Sequence, residues 1–167
     1  MGAKENIELV ERLTKAKEMQ DFETYAAGLA ENAVFMMAGV SEELGGVLRG
    51  RDAIIDEFQR TRGTSHWKTS DMFGDDSHVC VVGTTTVERM AGNKVIKSLE
   101  RGYITDECVI YWIEDGLVVK FMAYINWLSA YIQSGALDLS TVLRDDSAEL
   151  DLSMLMRDDT GKPEART

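Results

Sequence analysis

Apolar residues recur at helical spacing along the first twenty positions. Ile7, Val10, Leu13 and Ala16 or Lys17 fall on one stripe, with charges opposite. This predicts a helix over 4–20. Asp21 can cap a second helix over 22–31, which buries Phe22, Tyr25, Ala26 and Leu29. Residues 33–38 (AVFMMA) read as a buried strand, followed by a glycine-rich loop, GVSEELGGVLRG. A third helix, about 51–62, starts near Asp52 and carries Ile54, Ile55 and Phe58. From about residue 65 the apolar period shortens to two. Strands are predicted near 66–73, 78–90, 94–113 and 117–126. Gly92-Asn93 and Asp115-Gly116 are both two-residue hairpin signals. A closing helix over 127–134 (WLSAYIQS) ends at Gly135. Helices followed by consecutive hairpin strands make an α+β domain over 1–137. Residues 138–156 read as an acidic extension with a weak apolar pattern compatible with a helix, and 157–167 as a disordered tail.

The two turns also set strand phase, because directly opposed residues share a face. With Gly92-Asn93 as a two-residue loop, Thr85 opposes Glu100. With Asp115-Gly116 as another, Trp112 opposes Val119, Ile110 opposes Phe121 and Cys108 opposes Ala123. Odd residues of the 78–90 and 117–126 strands and even residues of the long strand then form one strongly apolar face. That face is expected to be concave and covered by the helices. It also carries Arg89, Glu100 and Asp106. A bulge in the long strand would reverse this phase on one side of it. The opposite face, with Cys80, Val82, Val109, Tyr111, Met122 and Tyr124, is too apolar for bare solvent. It predicts a two-fold homodimer packed sheet to sheet.

Composition narrows the function. The chain has 167 residues, enough for one domain, and 44% hydrophobic content. Its net charge of −11 disfavours nucleic acid and anionic membranes as partners. No apolar run approaches the ~18 residues of a membrane span, and the N-terminus lacks a signal-peptide pattern. Cys80 and Cys108 lie in apolar runs and are expected to be buried, reduced thiols, which fits a cytoplasmic location. Neither a zinc spacing nor a nucleotide-binding or hydrolase motif is present, so metal-free, cofactor-free chemistry is expected.

An inward carboxylate among aliphatic side chains has its pKa raised, which prepares a general acid or base. Asp106 and Glu100 are therefore candidates, with Arg89 as an ion-pair partner or anion binder. Tyr25 lies on a helix over the hollow, where its phenol could polarise a carbonyl. Met36, Trp67, Cys108, Ile110, Trp112, Val119 and Phe121 would line an apolar ligand site.

Three segments resemble a known family. GVLRGRDAIIDEF resembles the approach to the third helix of nuclear-transport-factor-2-like and SnoaL-like polyketide-cyclase proteins. WIEDGLVVKFMAYINWLSAYIQSGA is similar to their final hairpin and closing helix, and the opening helix pair before AENAVF also fits. The resemblance covers residues 4–136. It implies a cone: a curved antiparallel or mixed sheet wrapped around N-terminal helices, as in cystatin-like α+β barrels. It also implies a role for His66, since several lyases and isomerases of this scaffold resemble it there. Limonene-epoxide-hydrolase-like members use an Asp-Arg-Asp set. Arg89 matches its arginine, but Ala91 and Ala123 stand at the carboxylate positions. Where SnoaL-like cyclases carry an Asp after the last strand, this chain has Asn126, an amide that cannot exchange a proton near neutral pH. The expected function is a cofactor-independent isomerase, cyclase or lyase acting on a small hydrophobic carbonyl compound. His66 or Asp106 would be the base, and Tyr25, Arg89 or Asn126 would hold the oxyanion. The alternative is a non-catalytic ligand-binding or dimerisation domain of the same fold.

Overall fold

The computed structural model describes residues 2–43, 45–60, 65–88 and 102–134. The expectations for Arg89, Glu100, the Gly92-Asn93 turn and the C-terminal extension lie outside them. Helix α1 (Ala3–Glu18) is amphipathic as expected, burying Leu9, Val10 and Leu13. Helix α2 (Phe22–Ala27) is capped by Asp21, whose Oδ1 accepts from the Thr24 backbone N–H at 3.1 Å. It is shorter than predicted, because Leu29 already belongs to strand β1 (Leu29–Met37). The glycine-rich loop hides a short strand, β2 (Val47–Arg49), which the sequence pattern did not reveal. Helix α3 (Arg51–Arg60) follows, then β3 (Ser65–Gly74), β4 (His78–Val87), β5 (Tyr103–Glu114), β6 (Leu117–Ile125) and helix α4 (Trp127–Ser134).

The six strands form one mixed sheet in the order β2-β1-β6-β5-β4-β3. Only β1 and β6 run parallel; the other pairs are antiparallel. The α+β class stands, and β4, β5 and β6 are consecutive antiparallel neighbours. The sheet does not close into a barrel, since β2 and β3 remain as edges. No helix among the described residues is long and apolar enough to cross a membrane.

The Asp115-Gly116 turn forms as predicted. Glu114 faces Leu117, with φ of 49° at Asp115 and 78° at Gly116, the positive pair that a type I′ turn needs. The phase inferred from it fails two residues later. Ile113 pairs with Val118, but Trp112 pairs with Lys120, so Val119 is an extra residue, a β-bulge in β6. Beyond it Ile110 faces Met122 and Cys108 faces Tyr124. On the other side β4 and β5 pair without a break, and Thr85 faces Thr105 rather than Glu100. The inward face of β5 is therefore odd-numbered: Tyr103, Thr105, Glu107, Val109, Tyr111 and Ile113 are all buried. Val79, Val81, Val87, Phe121 and Ala123 face inward as expected.

One core joins the sheet to the helices, and its centre is aromatic. Phe121 lies 4.9 Å from Phe35 and stacks on Tyr111 at 5.5 Å between ring centres. Tyr25 of α2 meets Phe58 of α3 at 5.6 Å and Phe121 at 6.4 Å. Separately, α4 covers the far end of the inner face, where Ala130 packs on Val87 and Tyr103. Its Gln133 side chain accepts from the Ile104 backbone N–H at 2.9 Å and donates to the Ile104 carbonyl at 2.7 Å. This satisfies β5 past the point where β6 ends.

Gly83 gives the indole of Trp67 its place. A Cβ there would lie 2.5 Å from the Trp67 ring and 2.5 Å from the Lys68 carbonyl oxygen. Gly83→Ala is therefore expected to destabilise the fold by about 1–3 kcal/mol, read from urea unfolding midpoints. A cost below about 0.5 kcal/mol, ordinary for a surface change, would show that the ring is not held there.

Candidate functional site

The corrected phase moves the candidate chemistry by one residue. Asp106 points outward and is exposed, taking a 3.2 Å hydrogen bond from the Thr84 hydroxyl. Glu107 points inward and is 8% exposed. His66, paired with Thr86 at the start of β3, is also exposed, with Nε2 3.7 Å from Glu88 Oε1. Met36, Cys108, Ile110 and Trp112 belong to the outer face, opposite to the expectation. They alternate with the buried Phe35, Val109 and Tyr111. Asn126 is exposed, and its Oδ1 accepts from the Ser129 backbone N–H at 3.1 Å. Its amide thus caps α4 instead of facing the hollow. Of the expected lining, Trp67 and Phe121 are buried on the inner face, and Val119 packs against the core from the bulge. Tyr25 is fully buried there too.

Two charged residues share this interior. Glu107 sits beside the Thr85 hydroxyl and across from Gly83, under the Trp67 indole. Burial raises its pKa, and the nearby Lys17 charge and the Thr85 hydrogen bond act against that rise. Lys17 comes from α1. As a residue it keeps some exposure, but its ammonium is enclosed, 5.2 Å from the Phe58 ring centre and 5.3 Å from that of Trp67. The ring faces offer it cation–π attraction. Burial lowers its pKa, and the Glu107 charge opposes this. The two charges feel each other, yet among the described residues no ion pair within 4.0 Å joins them. The i, i+4 stripe of α1 contained Lys17, but a lysine on an apolar stripe reads as a flank; only its aromatic neighbours mark it.

Two phenols complete the group. Burial pushes Tyr111 up to about 12, with Tyr25 acting against that shift and Glu107 adding to it. Tyr25 is raised further, again first by burial and then by Tyr111. The Tyr25 and Tyr111 hydroxyls interact with each other, and no other polar group partners the buried Tyr25 oxygen. Tyr103, held up to about 12 by burial, closes the row near α4. Together these side chains place a carboxyl with a raised pKa, an enclosed cation and a pair of phenols within an apolar shell.

The sequence profile of the SnoaL-like domain matches residues 10–121, most of the described fold. The chain belongs to the SnoaL-like domain family. No curated protein matches this sequence. Among solved structures, this SnoaL-like chain is similar to Bal32a from a soil-derived mobile gene cassette. The identity is 26% and the TM-score 0.64, over 77% of this chain and 95% of that one. It is also similar to an LEH-like epoxide hydrolase of M. tuberculosis, at 20% identity and TM-score 0.61, covering 78% and 90% of the two chains. A third, TerC co-crystallized with polyporic acid, shares 16% identity at TM-score 0.61, covering 78% and 98%. These likenesses show a shared fold.

Glu107 makes stability depend on pH in a defined direction. Its folded pKa is raised, so its stabilising contribution is complete below about 4.5 and is lost as pH rises through the folded value. Asp75, lowered to about 2, acts in a separate and more acidic window. Glu107→Gln should flatten the fall in unfolding free energy between pH 4.5 and 7, measured by urea titration at several pH values. Parallel curves for the two proteins would refute the buried, raised carboxyl.

Proposed function

We propose that this SnoaL-like protein is a cofactor-independent isomerase, cyclase or lyase for a small hydrophobic carbonyl compound, with Glu107 as the general base. The observation that carries this reading is a buried row in which Glu107, a carboxyl whose pKa burial has raised, acts on Tyr111 and Tyr111 in turn on Tyr25. Ionised Glu107 takes a proton from the carbon beside the carbonyl. The electron pair moves onto the carbonyl oxygen, where the Tyr25 O–H donates a hydrogen bond and the Lys17 ammonium supplies positive potential. Glu107 then returns the proton to another atom of the substrate. Glu107 and Tyr25 thus fill the roles expected of Asp106 or His66 and of the oxyanion holder. The aromatic and aliphatic wall of Trp67, Phe58 and Phe121 suits an apolar body. The epoxide hydrolase and the polyporic-acid complex among its structural relatives support a small organic ligand for this fold, though not the reaction.

A second reading is a ligand-binding domain without chemistry. Ala123, at a position where epoxide-hydrolase-like members have a carboxylate, is buried and apolar, and Asn126 is committed to a helix cap. Deuterium exchange separates the two. In D₂O, small ketones and enones should lose their α-proton NMR signals in the presence of the protein, faster as pH rises through the raised Glu107 pKa. Glu107→Gln should slow that exchange by roughly 10²-fold or more, and Tyr25→Phe by a smaller factor. Ligand-induced shifts without exchange would favour the binding reading.

The outer face enters the same proposal as a two-fold interface between copies. Ile104 and Tyr124 are 55% and 46% exposed on it, beside half-buried Ile110, Trp112 and Met122. Sedimentation equilibrium should give a dimer, and Ile104→Glu with Tyr124→Glu should give a monomer. A wild-type monomer at tens of micromolar would exclude the interface.

A further inference from the structure

The mechanism above uses neither cysteine, yet these two side chains are closely placed. Cys80 is on β4 and Cys108 on β5, both half-buried on the outer face, and they are the only two cysteines of the chain. Cys80 lies opposite Ile110 and Cys108 opposite Val82, so the pair is diagonal across the two strands. Their Sγ atoms are 3.2 Å apart, and both are free thiols. Sequence alone placed both in apolar strands, 28 residues apart, and gave no sign that they meet.

We propose that Cys80 and Cys108 are a dithiol–disulfide pair, oxidised within one chain by a small-molecule disulfide and reduced again by small thiols. The unbroken β4–β5 ladder fixes both backbones, so the thiols meet without a search through conformations. Burial, and then its contact with Cys108, pushes the Cys80 pKa up to about 12. One of the two sulfurs, once deprotonated, displaces one small thiolate from the oxidant and forms a mixed disulfide. The other, losing its proton to solvent or to that departing thiolate, then attacks the first and releases the second small thiol. In sum, two protein thiols and one small disulfide give one protein disulfide and two small thiols. Diagonal neighbours are about 7–8 Å apart, at or just past the roughly 7 Å between Cα atoms that a disulfide spans without backbone movement, so closing the bond draws the two strands together there. A bond at that limit is readily reopened, the behaviour of a switch rather than a permanent brace.

The test uses the full-length chain at a concentration where it is monomeric by sedimentation, so that no second copy covers the sheet. Incubated to equilibrium with excess oxidised glutathione, denatured and titrated with Ellman's reagent, it should fall from two free thiols to none. Intact mass should fall by two hydrogens with no adduct. Reduced glutathione should restore both thiols. Cys80→Ser and Cys108→Ser should each stall as a single glutathione adduct at the remaining cysteine. Two surviving thiols in the wild type, stable adducts on it, or a covalent dimer on a non-reducing gel would each overturn the proposal. The wild-type readouts stand even if a serine variant folds poorly.

Discussion

A knot of aromatic rings fixes the helical layer to the sheet, and every other feature of the interior depends on it. Phe121 and Phe35 come from neighbouring parallel strands, Tyr111 from β5, Tyr25 from α2 and Phe58 from α3. Five separate segments therefore contribute to one cluster whose rings meet at tilted, edge-on and stacked angles. The same Phe58 ring that packs against the sheet also faces the Lys17 ammonium. Packing and electrostatics are coupled here: the contacts that exclude water from the core are those that shift Glu107 and Lys17 in opposite directions. A loosened core would hydrate both groups and return each towards its ordinary pKa.

Such an interior sacrifices some stability. Two buried charges that fall short of an ion pair are a feature that folding alone would not favour. They lie between the sheet and the three N-terminal helices. The scaffold is shared with proteins at under 25% identity, and a shared fold does not carry a shared function.

Much of the architecture was legible from residue patterns. The α1 stripe, the Asp21 cap, the Asp115-Gly116 turn and the closing helix all have local physical causes, and all appear near their expected positions. The site was less legible because it depends on strand phase, and phase is set by pairing between distant residues. Val119 is an ordinary β-branched strand residue, and nothing in its neighbours marks it as the bulge. Yet it exchanges Asp106 for Glu107 as the inward acid. The run Tyr103–Glu114 offers apolar residues at both odd and even positions, so hydrophobicity could not decide between faces. Tyr25 and Trp67 were found because their burial follows from local pattern and fold. Lys17 and Glu107 were missed because a charge is buried only when partners from other elements enclose it.

The Gln133 clasp bears on where the fold opens most easily. Along most of β5 the backbone is held by strands on both sides, and freeing it means breaking a ladder. At Ile104 one of those sides is replaced by a single amide on a two-turn helix. Melting one turn of α4 would free that edge and uncover Val87 and Tyr103 without disturbing the aromatic centre. The domain thus has a stiff floor and a soft end wall.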